Sequence, residues 1–134
     1  MSQDEVIAVD RQQDPDRFFW DACAKREFWV QRCRACDQWQ YYPRAICSHC
    51  WSRDLEWRRP SGHAVLETFS VVQRGAGEFS ALSPYVVALV TLDEGPRMMT
   101  NIDVANPDDL EIGMRLHVAF RNQNDRVVPV FTVA

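Results

Sequence analysis

The sequence predicts a mainly β protein in three parts: a short N-terminal helix, a metal-stapled ribbon and a five-stranded β-barrel. Three observations carry this reading. Cys33-Arg34-Ala35-Cys36 and Cys47-Ser48-His49-Cys50 form two Cys-x-x-Cys knuckles separated by ten residues. Beyond about residue 60, five segments of strand character alternate with turn residues. Ahead of the knuckles, Asp14-Pro15 opens a stretch whose aromatic residues recur at helical spacing. The predicted parts are a lead and helix over 1–27, a ribbon over 28–59 and a barrel over 60–134.

Residues 1–13 are polar with no sustained apolar period and are expected to form a loose lead. Asp14 then offers an N-cap oxygen and Pro15 is pre-set for the first helical position. Phe18, Phe19, Ala22 and Cys23 share one face of the helix that follows, with Trp20 beside them. That is more aromatic surface than one short helix hides alone. The face either packs on the chain's own sheet or contacts a partner or an acyl chain.

Phe28 to Gln31 lead into the first knuckle as a short strand. Between the knuckles, Trp39, Tyr41 and Tyr42 are expected to cover the metal as a small aromatic core. Leu55-Glu56-Trp57 alternates like a strand, and Arg58 to Gly62 reads as a linker turn. The barrel strands are expected at His63–Val72, Tyr85–Leu92, Arg97–Val104, Arg115–Arg121 and Val127–Val133. One helical turn fits Pro107 to Leu110. A long first connection is marked by Gly75-Ala76-Gly77 and by Ser80 to Pro84.

The chain has 134 residues, 46% of them hydrophobic and 25% charged, as in an ordinary soluble domain. It has neither a membrane-length apolar run nor a secretory start, so a cytoplasmic setting is expected, where thiols stay reduced. The net charge of −4 is unevenly spread. Residues 25–59 hold eight basic residues against four acids, while the segments on either side are each net acidic. Fourteen of the 15 basic residues are Arg, whose planar fork suits phosphate or carboxylate. Solvated surface charges with local acidic partners explain the same pattern.

Four thiols at this spacing point to a tetrahedral metal site, most often structural zinc, through Cys33, Cys36, Cys47 and Cys50. Disulfides or unrelated buried thiols are the alternative. A redox iron site also uses paired knuckles but favours a small residue after the second Cys, where this chain has Asp37 and Trp51. Cys23 stands apart and reads as a small buried residue. His63 and His117 lie in strands and Glu67 and Glu78 suit solvent, so no catalytic constellation is expected. Arg44, Arg58 and Arg59, interleaved with Trp39, Tyr41 and Tyr42, fit either a single-stranded nucleic acid or a compact polyanion such as coenzyme A. The acidic barrel disfavours the polymer.

The order Phe18-Phe19-Trp20, Cys33-x-x-Cys36, Tyr42-Pro43-Arg44, Cys47-x-x-Cys50, Trp57, Ser61-Gly62 continues through Pro84 to Val90, Leu92 to Gly95, Ile112-Gly113 and Pro129 to Phe131. This resembles the acyl-CoA-associated OB-fold family with an N-terminal rubredoxin-like zinc ribbon, long filed as a domain of unknown function. The resemblance covers the chain from about residue 16. It implies an N-terminal helix, a rubredoxin-like zinc ribbon and a five-stranded OB-fold barrel, with zinc on the four cysteines. It also implies a non-catalytic subunit that binds acyl-CoA and partners a thiolase-like or lipid-transfer-protein-like enzyme. A homo-oligomer within such a hetero-complex is compatible with it. For CoA phosphates, charge chemistry selects Arg44, Arg58 and Arg59. The family usually has Gly where this chain has Asp37 and Ala64, which bears on loop geometry.

Overall fold

The computed structural model describes residues 6–9, 14–73, 85–123 and 125–134. The helix α1 spans Pro15–Ala24, and Asp14 caps it by accepting from the Asp16 N–H at 3.0 Å. It ends at Lys25, where Arg26 turns left-handed at φ 60°. Its inward face buries Phe19, Ala22 and Cys23. Phe18 stacks on Trp57 with ring centroids 4.3 Å apart and sets its edge to Trp29. The aromatic face of the helix is therefore core.

Four short strands make the ribbon sheet: β1 (Val6–Ala8), β2 (Val30–Cys33), β3 (Trp39–Gln40) and β4 (Leu55–Arg58), in the antiparallel order β1-β4-β2-β3. The loose lead is thus corrected in part. Val6, Ile7 and Ala8 pair with Arg58, Trp57 and Glu56, and the Val9 N–H continues to the Leu55 carbonyl. Three residues are too few to announce a strand by periodicity, and an edge strand needs no apolar face of its own.

The barrel consists of β5 (His63–Val72), β6 (Tyr85–Leu92), β7 (Arg97–Ile102), β8 (Arg115–Gln123) and β9 (Arg126–Val133). It closes in the order β5-β6-β7-β9-β8, with β8 returning to β5. All its pairings are antiparallel except β7 with β9, which meet in parallel at Ile102 and Phe131. One 3-10 turn, Pro107–Asp109, precedes β8. Period-two alternation fills the interior: on β6, Val86, Ala88, Val90 and Leu92 are buried while their neighbours are half-exposed. A bulge at Glu67 shifts the β5 register between Leu66 and Thr68. Gly75 to Gly77, Glu78 and Ser80 to Pro84 lie outside the described residues.

The presumed linker after β4 is pinned on both sides. The Ser61 N–H donates to Glu94 at 3.0 Å, and the Gly62 carbonyl accepts from Val118 at 2.8 Å. Gly62 sits at φ 85°, and a Cβ there would lie 3.0 Å from the Val118 side chain. Ala64, where relatives were expected to carry Gly, is fully buried and paired with Leu92 on one side and Leu116 on the other.

One continuous core joins helix, ribbon and barrel. It runs from Phe19, Phe28, Trp29 and Trp57 to Leu66, Val90, Leu116 and Phe131, with Phe28 edge-on to Phe131 at 6.4 Å. The expected aromatic cover over the metal is corrected here. Tyr41 and Tyr42 pack on Phe19, and Trp39 also joins the large core. What lies against the knuckle sulfurs is aliphatic, Leu55 and Val9. Aromatics this large gain more by covering the helix than by capping a small sulfur cluster.

Candidate metal centre

The four knuckle sulfurs converge. Cys33 Sγ lies 3.5 Å from Cys50 Sγ, Cys36 Sγ lies 3.7 Å from Cys47 Sγ, and all four fall within 4.8 Å of one another. Zinc–thiolate bonds of about 2.3 Å at tetrahedral angles place sulfurs about 3.8 Å apart. The donor set fits a four-thiolate zinc, and no disulfide joins any of the five cysteines. His49, exposed inside the second knuckle, is not part of this cluster.

Two matching turns deliver the sulfurs. At the end of β2 the Asp37 N–H donates to the Cys33 carbonyl at 2.8 Å, and the Cys33 N–H to the Gln38 carbonyl. In the second turn the Trp51 N–H donates to Cys47 at 3.0 Å, and the Cys47 N–H to Ser52. Asp37 and Trp51 close these turns at φ 63° and 68°, the region glycine favours. The left-handed turn is thus made without glycine, helped at Asp37 by an ion pair with Arg32. Residue size after the knuckles consequently gives no backbone reason to prefer zinc over iron. The N–H groups of His49 and Cys50 point at Cys47 Sγ at 3.3 and 3.5 Å.

Burial works to raise the Cys47 thiol, but hydrogen bonds from those N–H groups and from the Cys36 and Cys50 thiols outweigh it and bring it down to about 7. Cys36 receives a lowering bond from the Gln38 backbone, yet burial and the other three thiols hold it up at about 12. A bound cation therefore has to displace protons from this cluster. Cys23, fully buried and pushed up to about 12 by burial, stays a protonated core residue.

Sequence reasoning missed the two residues that hold the knuckles in register. Gln31 and Gln40 face each other across β2 and β3 and are both buried. Gln31 Oε1 accepts from Gln40 Nε2 at 2.7 Å and from the Arg44 N–H at 2.8 Å, while its Nε2 donates to the Arg44 carbonyl at 2.8 Å. Gln40 Oε1 accepts from the Ser48 N–H and hydroxyl. The loop carrying the second knuckle is thus tied to the strand carrying the first. Glu56 was missed too: it is buried on β4 and meets Arg32, Arg34 and Arg58 within 4.0 Å.

The three candidate phosphate contacts have different described surroundings. Arg58 lies over Trp39 and pairs with Glu56. Arg59 lies over Trp29, just ahead of β2. Arg44 is exposed. A crevice of about 370 Å³ separates ribbon from barrel, lined by Trp39, Tyr41, Ser48 and His49 on one side and Gly95 to Arg97 on the other. His63 and His117 are an exposed cross-strand pair, ring centroids 5.8 Å apart.

The comparisons with known proteins agree with this architecture. Residues 20–56 match the family pattern described as the ChsH2 rubredoxin-like zinc ribbon domain, and residues 57–121 match the ChsH2 C-terminal OB-fold domain. A DUF35 domain-containing scaffold protein of Methanothermobacter thermautotrophicus is 35% identical over 67% of this chain and 68% of its own length. The chain belongs to the DUF35 family. A Methanocaldococcus jannaschii scaffold protein of the same description is 34% identical. A probable enoyl-CoA hydratase alpha subunit of Thermomonospora curvata is 34% identical over 89% of this chain, which spans only 38% of that protein. Among solved structures, a chain of the Ltp2–ChsH2(DUF35) aldolase superposes with a TM-score of 0.78 at 32% identity, covering 90% of this chain and 95% of that one. A DUF35 protein of Sulfolobus solfataricus shares the fold, with a TM-score of 0.64 at 12% identity. The four cysteines described above occupy the segment matched as the zinc ribbon. No helix among the described residues is long and apolar enough to cross a membrane.

Proposed function

We propose that this chain is a non-catalytic scaffold subunit of an acyl-CoA-processing complex, partnering a lipid-transfer-protein-like enzyme of the thiolase superfamily. The observation that carries the reading is the superposition over nearly the whole of a chain from the Ltp2–ChsH2(DUF35) aldolase. In this reading one structural zinc on Cys33, Cys36, Cys47 and Cys50 fixes the ribbon. The shared aromatic core then holds ribbon and barrel as one rigid body, which is what a scaffold needs.

The acyl-CoA role is the finer part of the proposal. The ribbon–barrel crevice offers aromatic faces at Trp39 and Tyr41 beside the polar His49, Ser48 and Arg97. Arg58 stands over the Trp39 ring that lines it. Arg44 and Arg59 are the other proposed phosphate contacts. Calorimetric titration with several acyl-CoAs tests this part, with Arg44→Ala as the cleaner variant because the Arg58 side chain also packs on Trp39 and pairs with Glu56. Binding weakened by Arg44→Ala and by the Arg58→Ala, Arg59→Ala pair supports it. The absence of heat with every acyl-CoA removes the ligand role, and absence of a co-purifying enzyme removes the scaffold role.

A further inference from the structure

The ribbon ends in a side chain that the fold does not use. Trp51 is 78% exposed, more than any other large hydrophobic residue described. Among the described residues its ring stacks on no other ring and meets no cation. The residue sits at φ 68°, where glycine is free of strain and tryptophan is not. Its N–H is tied to Cys47, and the Cys47 N–H is tied to Ser52. A large indole thus projects from a backbone turn that is fixed in advance, so covering it orders the side-chain torsions alone.

The charge around it is one-sided. Residues 38–53 contain no Asp or Glu, while Arg44, His49 and Arg53 are exposed there. The side chains of Arg44 and Arg53 make no ion pair among the described residues, unlike Arg32, Arg34 and Arg58 on the same ribbon. The rest of the chain is net acidic. Tryptophan and arginine dominate the energetic centres of protein interfaces, with a fully covered ring inside a polar rim.

We infer that Trp51 is the anchor by which the ribbon tip docks into an apolar pocket with an acidic rim on the partner enzyme, with the exposed Arg53 meeting that rim. This rests on the scaffold reading above. A single-stranded nucleic acid also stacks on Trp between arginines. Among the described residues no run of rings as exposed as Trp51 is present, and that, on a chain of net charge −4, favours the protein partner.

Trp51→Gly separates anchor from fold, because glycine accepts the left-handed turn. The full-length chain, wild type and variant, is immobilised and presented with the Ltp2 subunit of the matched aldolase. In parallel it meets the purified thiolase-superfamily enzymes encoded in its own genome, and a single-stranded oligonucleotide. The expected result is enzyme binding weakened by at least roughly 30-fold, with zinc content and thermal midpoint unchanged or raised. Arg53→Ala lowers the association rate and flattens its salt dependence. Equal binding by wild type and Trp51→Gly overturns the anchor and leaves the scaffold reading standing. Failure of the wild type to bind any of the enzymes overturns both. Trp51-dependent binding of the oligonucleotide alone overturns the protein assignment, and loss of zinc in Trp51→Gly makes Trp51 a structural residue of the knuckle.

Discussion

Gln31→Ala is the perturbation that separates the ribbon's polar framework from its metal. The side chain is fully buried and makes three short hydrogen bonds, two through Oε1 and one through Nε2. Truncation leaves Gln40 Nε2 with only the Ile46 carbonyl at 3.4 Å, and leaves both backbone groups of Arg44 without their partner. An unsatisfied buried group costs about 1–3 kcal/mol. Arg44 is exposed, so water can reach its backbone and its two losses fall at or below the low end. The Gln40 amide carries most of the penalty, and the sum is about 2–4 kcal/mol. The assay is urea denaturation of the zinc-loaded chain, joined to the rate of zinc transfer to a chromophoric chelator. The expected outcome is a lower midpoint with unchanged slope and faster zinc transfer, because the second knuckle loses its tie to the first. Gln31→Ala combined with Gln40→Ala costs less than the sum of the two, since the first change already breaks their shared bond. A change below about 0.5 kcal/mol, with zinc transfer as slow as in wild type, refutes the reasoning.

The remaining predictions concern the core, the ribbon–barrel junction, one ion pair and the metal. Phe19→Ala removes a fully buried ring that touches Trp20, Phe28, Tyr41 and Tyr42, and is expected to cost about 3–5 kcal/mol by thermal or chemical denaturation. Gly62→Ala forces a Cβ against Val118 at an unfavourable φ, and denaturation is expected to show a loss of about 1–3 kcal/mol. Asp93 is held below the usual carboxylate range by its paired hydrogen bonds to Arg115. Its contribution is therefore present above the ordinary Asp value of about 4 and is lost as pH falls through the lower folded value. Asp93→Asn should flatten acid denaturation in that window and, the pair being largely exposed, change little at neutral pH. Zinc affinity, followed by competition with a chelator, should rise with pH because binding expels thiol protons. An affinity flat between about pH 6 and 8 would contradict a thiolate site.

Much of the architecture could be read from residue patterns alone. Paired knuckles, an Asp-Pro helix start and alternating strands are local signals, and each forms where its local chemistry directs. The sulfur cluster was legible for the same reason, since spacing along the chain nearly determines spacing in a two-turn site. What escaped is set by tertiary pairing. The strand β1 exists because β4 offers it an open edge, and three exposed residues carry no periodicity to announce it. Gln31 and Gln40 carry no local signal of burial, and only the fold places one opposite the other. Trp39, Tyr41 and Tyr42 lie beside the knuckles in sequence, yet the helix brings Phe19 to them and draws them into the larger core. Arg58 and Arg59 are adjacent in sequence and end over different tryptophans, as alternation along an extended chain requires.

Light scattering on a size-fractionated co-expression tests the central claim most directly, with this chain and a lipid-transfer-protein-like enzyme from the same genome produced together. The account predicts one co-eluting species containing both chains and surviving physiological salt. Two separate peaks, this chain running alone with its ribbon intact, would contradict the scaffold role.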